Sequence, residues 1–142
     1  MEKKLKLDNG ITLIYKNNKG TPRTNITFFN QLGIYYDDIP SETLLISRLL
    51  LQGTKRFSSK ELAEILDQNA IDISCDVKQD YFRARATFLN EDIEQAIDIF
   101  SDILLNSTFE NTEKEVNKIK GEIVCDLDSP RVKALDNFTD NL

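Results

Sequence analysis

An α+β fold, with a mainly antiparallel β-sheet and helices packed on one face, is what this sequence predicts. Three observations carry that expectation. Strand-like alternation of apolar and polar residues comes in blocks, at 3–16, 24–32, 71–77 and 80–88. Helical spacing also comes in blocks, at 41–52, 58–69, 91–105, 112–127 and 130–142. The order ββ β αα ββ α α α lacks the strand–helix alternation of a parallel sheet, so the strands are expected in one antiparallel sheet.

The elements follow from their residues in turn. Leu5 and Leu7 alternate with lysines, and Asp8-Asn9-Gly10 supplies a tight turn before Ile11, Leu13 and Tyr15, so residues 3–16 read as a hairpin. Asn17 to Thr24, with Gly20 and Pro22, is a loop, and NITFFNQL at 25–32 is a third strand. The next helix has Pro40 near its start and Gly53 at its end. Ser58 and Glu61 form a capping box for a helix that buries Leu62, Ile65 and Leu66. Ile71, Ile73, Cys75 and Val77 mark a half-buried strand, and YFRARATF at 81–88 is its mate across the turn Lys78-Gln79-Asp80. Asn90 is expected to cap a helix that carries Ile93, Ala96, Ile97, Phe100, Ile103 and Leu104 at helical spacing. A following helix is expected to bury Val116, Ile119, Ile123 and Leu127. Pro130 opens the last, which is still running at Leu142 and carries Leu135 and Phe138. Residues 1–142 are therefore expected to be the N-terminal part of one domain, incomplete at its C-terminus.

Composition narrows the chemistry. With 142 residues and 40% apolar content, the chain can bury a core. Its 18 Lys and Arg against 24 Asp and Glu give a net charge of −6, a poor match to nucleic acid or an anionic membrane. Cys75 and Cys125 are too few for a disulfide framework, and neither a signal peptide nor a transmembrane run is visible, so a cytoplasmic protein is expected. There is no histidine. That excludes Ser-His and Cys-His pairs, imidazole acid–base catalysis and histidine-based metal sites within these residues.

The helix at 41–52 poses a problem. Six of the eight residues from Leu44 to Leu51 are leucine or isoleucine, yet Thr43, Ser47, Arg48 and Gln52 form a polar stripe along it. The stripe is either a solvated or partner-facing edge or the remains of a site.

Several pieces stand in a recognisable order. They are LDNGITLIY near the start, GIYYD at 33–37, LLLQGTKRFS at 49–58, QNAIDISCDV, and AIDIFSDILLNSTF at 96–109. Glu115 and Glu122 then follow, ahead of Asp128-Ser129-Pro130. This order resembles the N-terminal domain portion of the pitrilysin (insulinase) family of zinc metallopeptidases, in its processing-peptidase-like form, over essentially the whole chain. In that family an H-x-x-E-H motif precedes an F-x-G-T stretch. Its histidines bind zinc, its glutamate is the general base, and a later glutamate is the third ligand.

Anchored on Gly53-Thr54, the resemblance puts the histidine positions on Leu44 and Arg48 and the catalytic glutamate on Ser47. Glu122 falls on the third ligand, with Glu115 one repeat before it, although Gly121 departs from the pattern. The resemblance thus implies a degenerate site at Leu44, Ser47 and Arg48, a relic at Glu115 and Glu122, no catalytic residues and no metal or other cofactor. Arg48 is expected to face Glu122 as a replacement charge. A Glu122–Cys125–Cys75 metal site is the alternative use of the thiols. The implied function is that of an inactive subunit or half, which binds peptide and completes the chamber of an active zinc peptidase. Its implied partners are a catalytically active family member with an intact zinc motif, a peptide, and further copies of itself. A structural assembly subunit of the same fold is the alternative, and an active metallopeptidase a third.

Overall fold

Two antiparallel units make up the β structure among the described residues, where one sheet was expected. The computed structural model describes residues 2–139 and, within them, all side chains except those of Asp126, Leu135, Asp136 and Thr139. Strands β1 (Glu2–Lys6) and β2 (Thr12–Lys16) form a hairpin that pairs only with itself. The Leu7 N–H donates to Ile11 O at 2.8 Å and the Gly10 N–H to Leu7 O at 2.9 Å, with Gly10 at φ +86 as such a turn needs. Every described hairpin residue is exposed, because the helices lie elsewhere.

The main sheet has the order β3-β5-β4, from β3 (Arg23–Asn30), β4 (Asp72–Val77) and β5 (Phe82–Leu89). In the central strand Phe82, Ala84, Ala86 and Phe88 are buried, while the residues between them look outward. Onto that single face pack α1 (Glu42–Leu49), α2 (Ser59–Gln68) and α3 (Ile93–Asn106), through Leu50, Leu62, Ile99, Phe100 and Ile103. Ala84, Ala86 and Ala96 are all fully buried and leave room for α3 to close on β5. The α+β reading, with helices on one face, is therefore what the structure has.

Helix ends show what local chemistry decided. The Ser58–Glu61 capping box closes in both directions, since Glu61 N–H donates to Ser58 Oγ and Ser58 N–H donates to Glu61 Oε2. Asn90 does not cap α3. Its amide ties two other segments together, accepting from Thr24 Oγ1 at 2.7 Å and donating to Thr21 O at 2.9 Å. Helix α1 stops at Leu49, before the expected 52, because the chain turns through Gly53 at φ +119. Ser107 Oγ reaches both Leu49 O and Gly53 O across that turn, so the end of α3 holds it in place.

Helix faces differ in two places. On α3 the buried apolar set is Ala96, Ile99, Phe100 and Ile103, and Ile93 and Ile97 are exposed. On α4 (Thr112–Asp128), Ile119 is buried but Ile123 and Leu127 are exposed. Helix α4 packs chiefly on α1, and at about 1.5 Å per residue its 17 residues overrun the 8 of α1. Helix α5 (Pro130–Thr139) follows with Phe138 exposed. Positions 140–142 of the expected last helix, and the side chain of Leu135, lie outside the described residues. Among the described residues no helix is long and apolar enough to cross a membrane.

Candidate functional site

The polar stripe of α1 is consumed by contacts with its surroundings. The lead-in to the helix supplies its first partner: Asp37 Oδ1 accepts from the Thr43 N–H at 3.1 Å and from the Thr43 hydroxyl. A carboxylate from outside the helix thereby satisfies an N–H of the first turn, where the helix dipole also favours negative charge. Ser41, the N-cap, sits at φ +70 and makes no side-chain capping bond. Ser47 is buried and turns its hydroxyl back onto Leu44 O at 2.7 Å, as serines inside helices do. Gln52 Oε1 accepts from Asn111 Nδ2 at 3.2 Å, in the turn that leads into α4.

Arg48 is the centre of the face. Its Nη1 donates to Glu122 Oε1 at 2.8 Å and its Nη2 to Glu122 Oε2 at 2.5 Å, a fork-to-fork pair between α1 and α4. Two parallel bonds of this kind add geometric specificity to the attraction of the charges. The bond from Arg48 holds the Glu122 carboxyl below its ordinary range, and the same bond raises the guanidinium further. Glu115 adds to the field at Arg48. The expected meeting of Arg48 and Glu122 is thus realised.

Burial is uneven across this face. The Arg48 side chain is 29% exposed and that of Glu122 54%, so Glu122 is largely in solvent. Of the two α4 glutamates the buried one is Glu115, at 4%, and its partner is Lys118, whose Nζ lies 2.5 Å from Glu115 Oε1. Sequence reasoning passed over Lys118, although its spacing from Glu115 and Glu122, three and four residues, is the ordinary signal of helical charge pairing. Asp37 was noted only as the end of GIYYD, and nothing there marks it as a partner of Thr43.

What the face can do chemically is limited by its donors. Leu44 is hydrocarbon, the Ser47 hydroxyl is spent on its own helix, and Arg48 is a fixed cation, so these three positions offer no thiolate, imidazole or carboxylate to a metal. Among the described residues no three His, Cys, Asp or Glu side chains stand close enough to share an ion, so Glu122, Cys125 and Cys75 are not brought together. Cys75 is half-buried on β4, where burial pushes its thiol up to about 11, and Cys125 is exposed on α4. Beside the junction lies an apolar cavity of about 400 Å³, lined by Ile39, Leu45, Val116, Ile119 and Ile123. A more open depression follows Lys118, Gly121, Glu122 and Cys125.

Comparison with known proteins bears on the whole chain. The family model for insulinase (peptidase family M16) matches residues 15–137. An uncharacterized zinc protease of Bacillus subtilis, YmxG, is 25% identical over 134 residues, covering 92% of this chain and 33% of its own length. An uncharacterized zinc protease of Rickettsia felis is 26% identical over 129 residues, covering 88% of this chain and 31% of its own. The chain therefore spans about a third of the length of these curated relatives. With a match over nearly its full length, on an α+β fold of antiparallel strands and helices, the chain belongs to the insulinase (peptidase M16) family.

Proposed function

We propose that this chain is a non-catalytic member of its family, one that binds peptide and completes the chamber of an active zinc peptidase. The observation that carries the proposal is the fork of Arg48 on Glu122, read with the resemblance, which puts the family's zinc motif on Leu44, Ser47 and Arg48. Those residues do not fit a zinc ion, which needs three or four nitrogen, sulfur or carboxylate ligands. No general base stands beside a nucleophile on this face either, so bond cleavage is left to a partner that carries the intact motif. Exposed apolar side chains on the hairpin and on α4, such as Ile14, Val124 and Leu127, support a chain that assembles with others.

The experiment is reconstitution. The protein alone, supplied with zinc, is expected to cleave no peptide. Mixed with an active family member from the same source, it is expected to form a stable complex and to raise cleavage of an extended peptide at least several-fold. Chelator-sensitive cleavage by the isolated protein would overturn the reading. A complex that forms without any change in cleavage would shift it to the structural-subunit alternative.

A further inference from the structure

The α1–α4 junction holds four charges as two neighbouring ion pairs. Glu115, Lys118 and Glu122 recur at intervals of three and four residues, which places them along one face of α4. Arg48 reaches that face from α1 and forks onto Glu122, and Lys118 lies on Glu115. The two pairs contain two carboxylates and two cations, so their summed charge is zero. Balance matters most at Glu115, because a carboxylate at 4% exposure is costly without a compensating positive charge. A divalent metal ion is one way to supply two positive charges to a pair of carboxylates. Here the same double positive charge arrives on two side chains.

We propose that Arg48 and Lys118 together substitute for a divalent cation at the α1–α4 junction, Arg48 neutralising Glu122 across the two helices and Lys118 neutralising Glu115 within α4, and leave metal no place. The comparison with a metal rests on the functional reading above, but the charge balance rests on the geometry alone. The arrangement also differs from a metal site in kind. A metal can be lost to a chelator, whereas this junction is covalently part of the chain and forms on folding without a cofactor. It predicts a latent site: remove the two cations and the two carboxylates are left to attract an ion.

Thermal unfolding with and without millimolar Mn²⁺ tests this, since that ion prefers oxygen ligands and is a poor match to Cys125. Wild type is expected to move by less than about 1 °C on adding Mn²⁺. Arg48→Ala/Lys118→Ala is expected to melt lower than wild type and to regain ~2–4 °C with Mn²⁺. Adding Glu115→Gln and Glu122→Gln to that variant is expected to abolish the regain. An equal Mn²⁺ response in wild type, or one that survives the two glutamine substitutions, overturns the proposal. Should the double variant fail to fold alone, refolding is read instead: recovery in Mn²⁺ but not in NaCl of equal ionic strength supports it. Failure in both, with no Mn²⁺ bound by Arg48→Ala in electron spin resonance, overturns it. Absence of a complex in the reconstitution would end the functional reading and leave these melting curves unchanged.

Discussion

The hairpin β1–β2 and the sheet β3-β5-β4 carry the same alternation of apolar and polar residues, and they end in opposite surroundings. Leu13, Ile14 and Tyr15 on β2 are 43%, 64% and 41% exposed, whereas Phe88 on β5 is 1% exposed and Ala84 and Ala86 are fully buried. The difference lies in what covers them. Helices α1 to α3 close one face of the sheet, and none of the core they form includes a hairpin residue. Period-two alternation therefore specifies a strand and its two faces, but an apolar face stabilises the fold only where another element removes it from water.

Substitutions can break this comparison, and the largest effect is expected at the buried end. Phe88→Ala is expected to cost about 3–5 kcal/mol in denaturant unfolding, through lost burial and the cavity left behind. Ile14→Ala on the hairpin is expected to stay within about 0.5 kcal/mol. Comparable losses at the two sites would show that the hairpin is covered in solution after all.

Two glycines sharpen the contrast between packed and open positions. A Cβ on Gly33 would meet Lys78 O and Tyr81 N at 2.5 Å and Asp80 N at 2.6 Å, all backbone atoms that cannot move aside cheaply. Gly33→Ala is therefore expected to cost about 1–3 kcal/mol. Gly121, in the interior of α4, has nothing within 4 Å of such a carbon. Gly121→Ala is expected to stabilise by about 0.5–1 kcal/mol, because alanine loses less backbone freedom in a helix. Paired melting curves check both signs.

The cysteines extend the comparison to reactivity. With its thiol at about 11, Cys75 is roughly one part in a thousand thiolate at pH 8. Exposed Cys125 is expected to be alkylated first at that pH, and Cys75 to catch up only as pH rises toward 11. Mass spectrometry of a timed labelling reaction reads the order. Equal rates would place Cys75 outside the core.

The smallest expected effect is at the start of α2. Bonds from the Ser58 backbone and hydroxyl hold the Glu61 carboxyl below its ordinary value. A carboxyl lowered on folding contributes stability above its unfolded pKa and loses it as pH falls through the folded one. The stability difference between wild type and Glu61→Gln is therefore expected to be present at pH 7 and to fade in acid.

Much of this architecture was legible because local chemistry wrote it. Asp8-Asn9-Gly10 marked the hairpin turn, Ser58 and Glu61 the helix start, and the alternation through Ile71, Ile73 and Phe88 the sheet. Arg48 and Glu122 could be paired in advance because Gly53-Thr54 fixed the register of α1 against a known pattern. What stayed hidden depends on lengths and neighbours. Ile123 and Leu127 keep helical spacing with Ile119, yet they are exposed because α1 is too short to cover them. Glu115 was singled out only through the resemblance, and helical spacing alone did not show that it, rather than Glu122, is the buried one of the two. Asn90 had the chemistry of a cap, but Thr24 on the neighbouring strand β3 and Thr21 just before it took its amide.

Gly33 has a consequence in time as well as in space. The N–H groups of Ile34 and Tyr35 donate to Lys78 O and Gln79 O, so the segment ahead of α1 leans on the turn between β4 and β5. That turn lies far along the chain, and until β4 and β5 have paired there is nothing for Gly33 to close on. Bringing distant segments together is the slow kind of folding step. In pulsed hydrogen exchange, the amides of β5 are expected to gain protection before those of Ile34 and Tyr35. The newly made chain would then pass through a stage with its sheet already paired, while the helix that bears Arg48 still waits for its place.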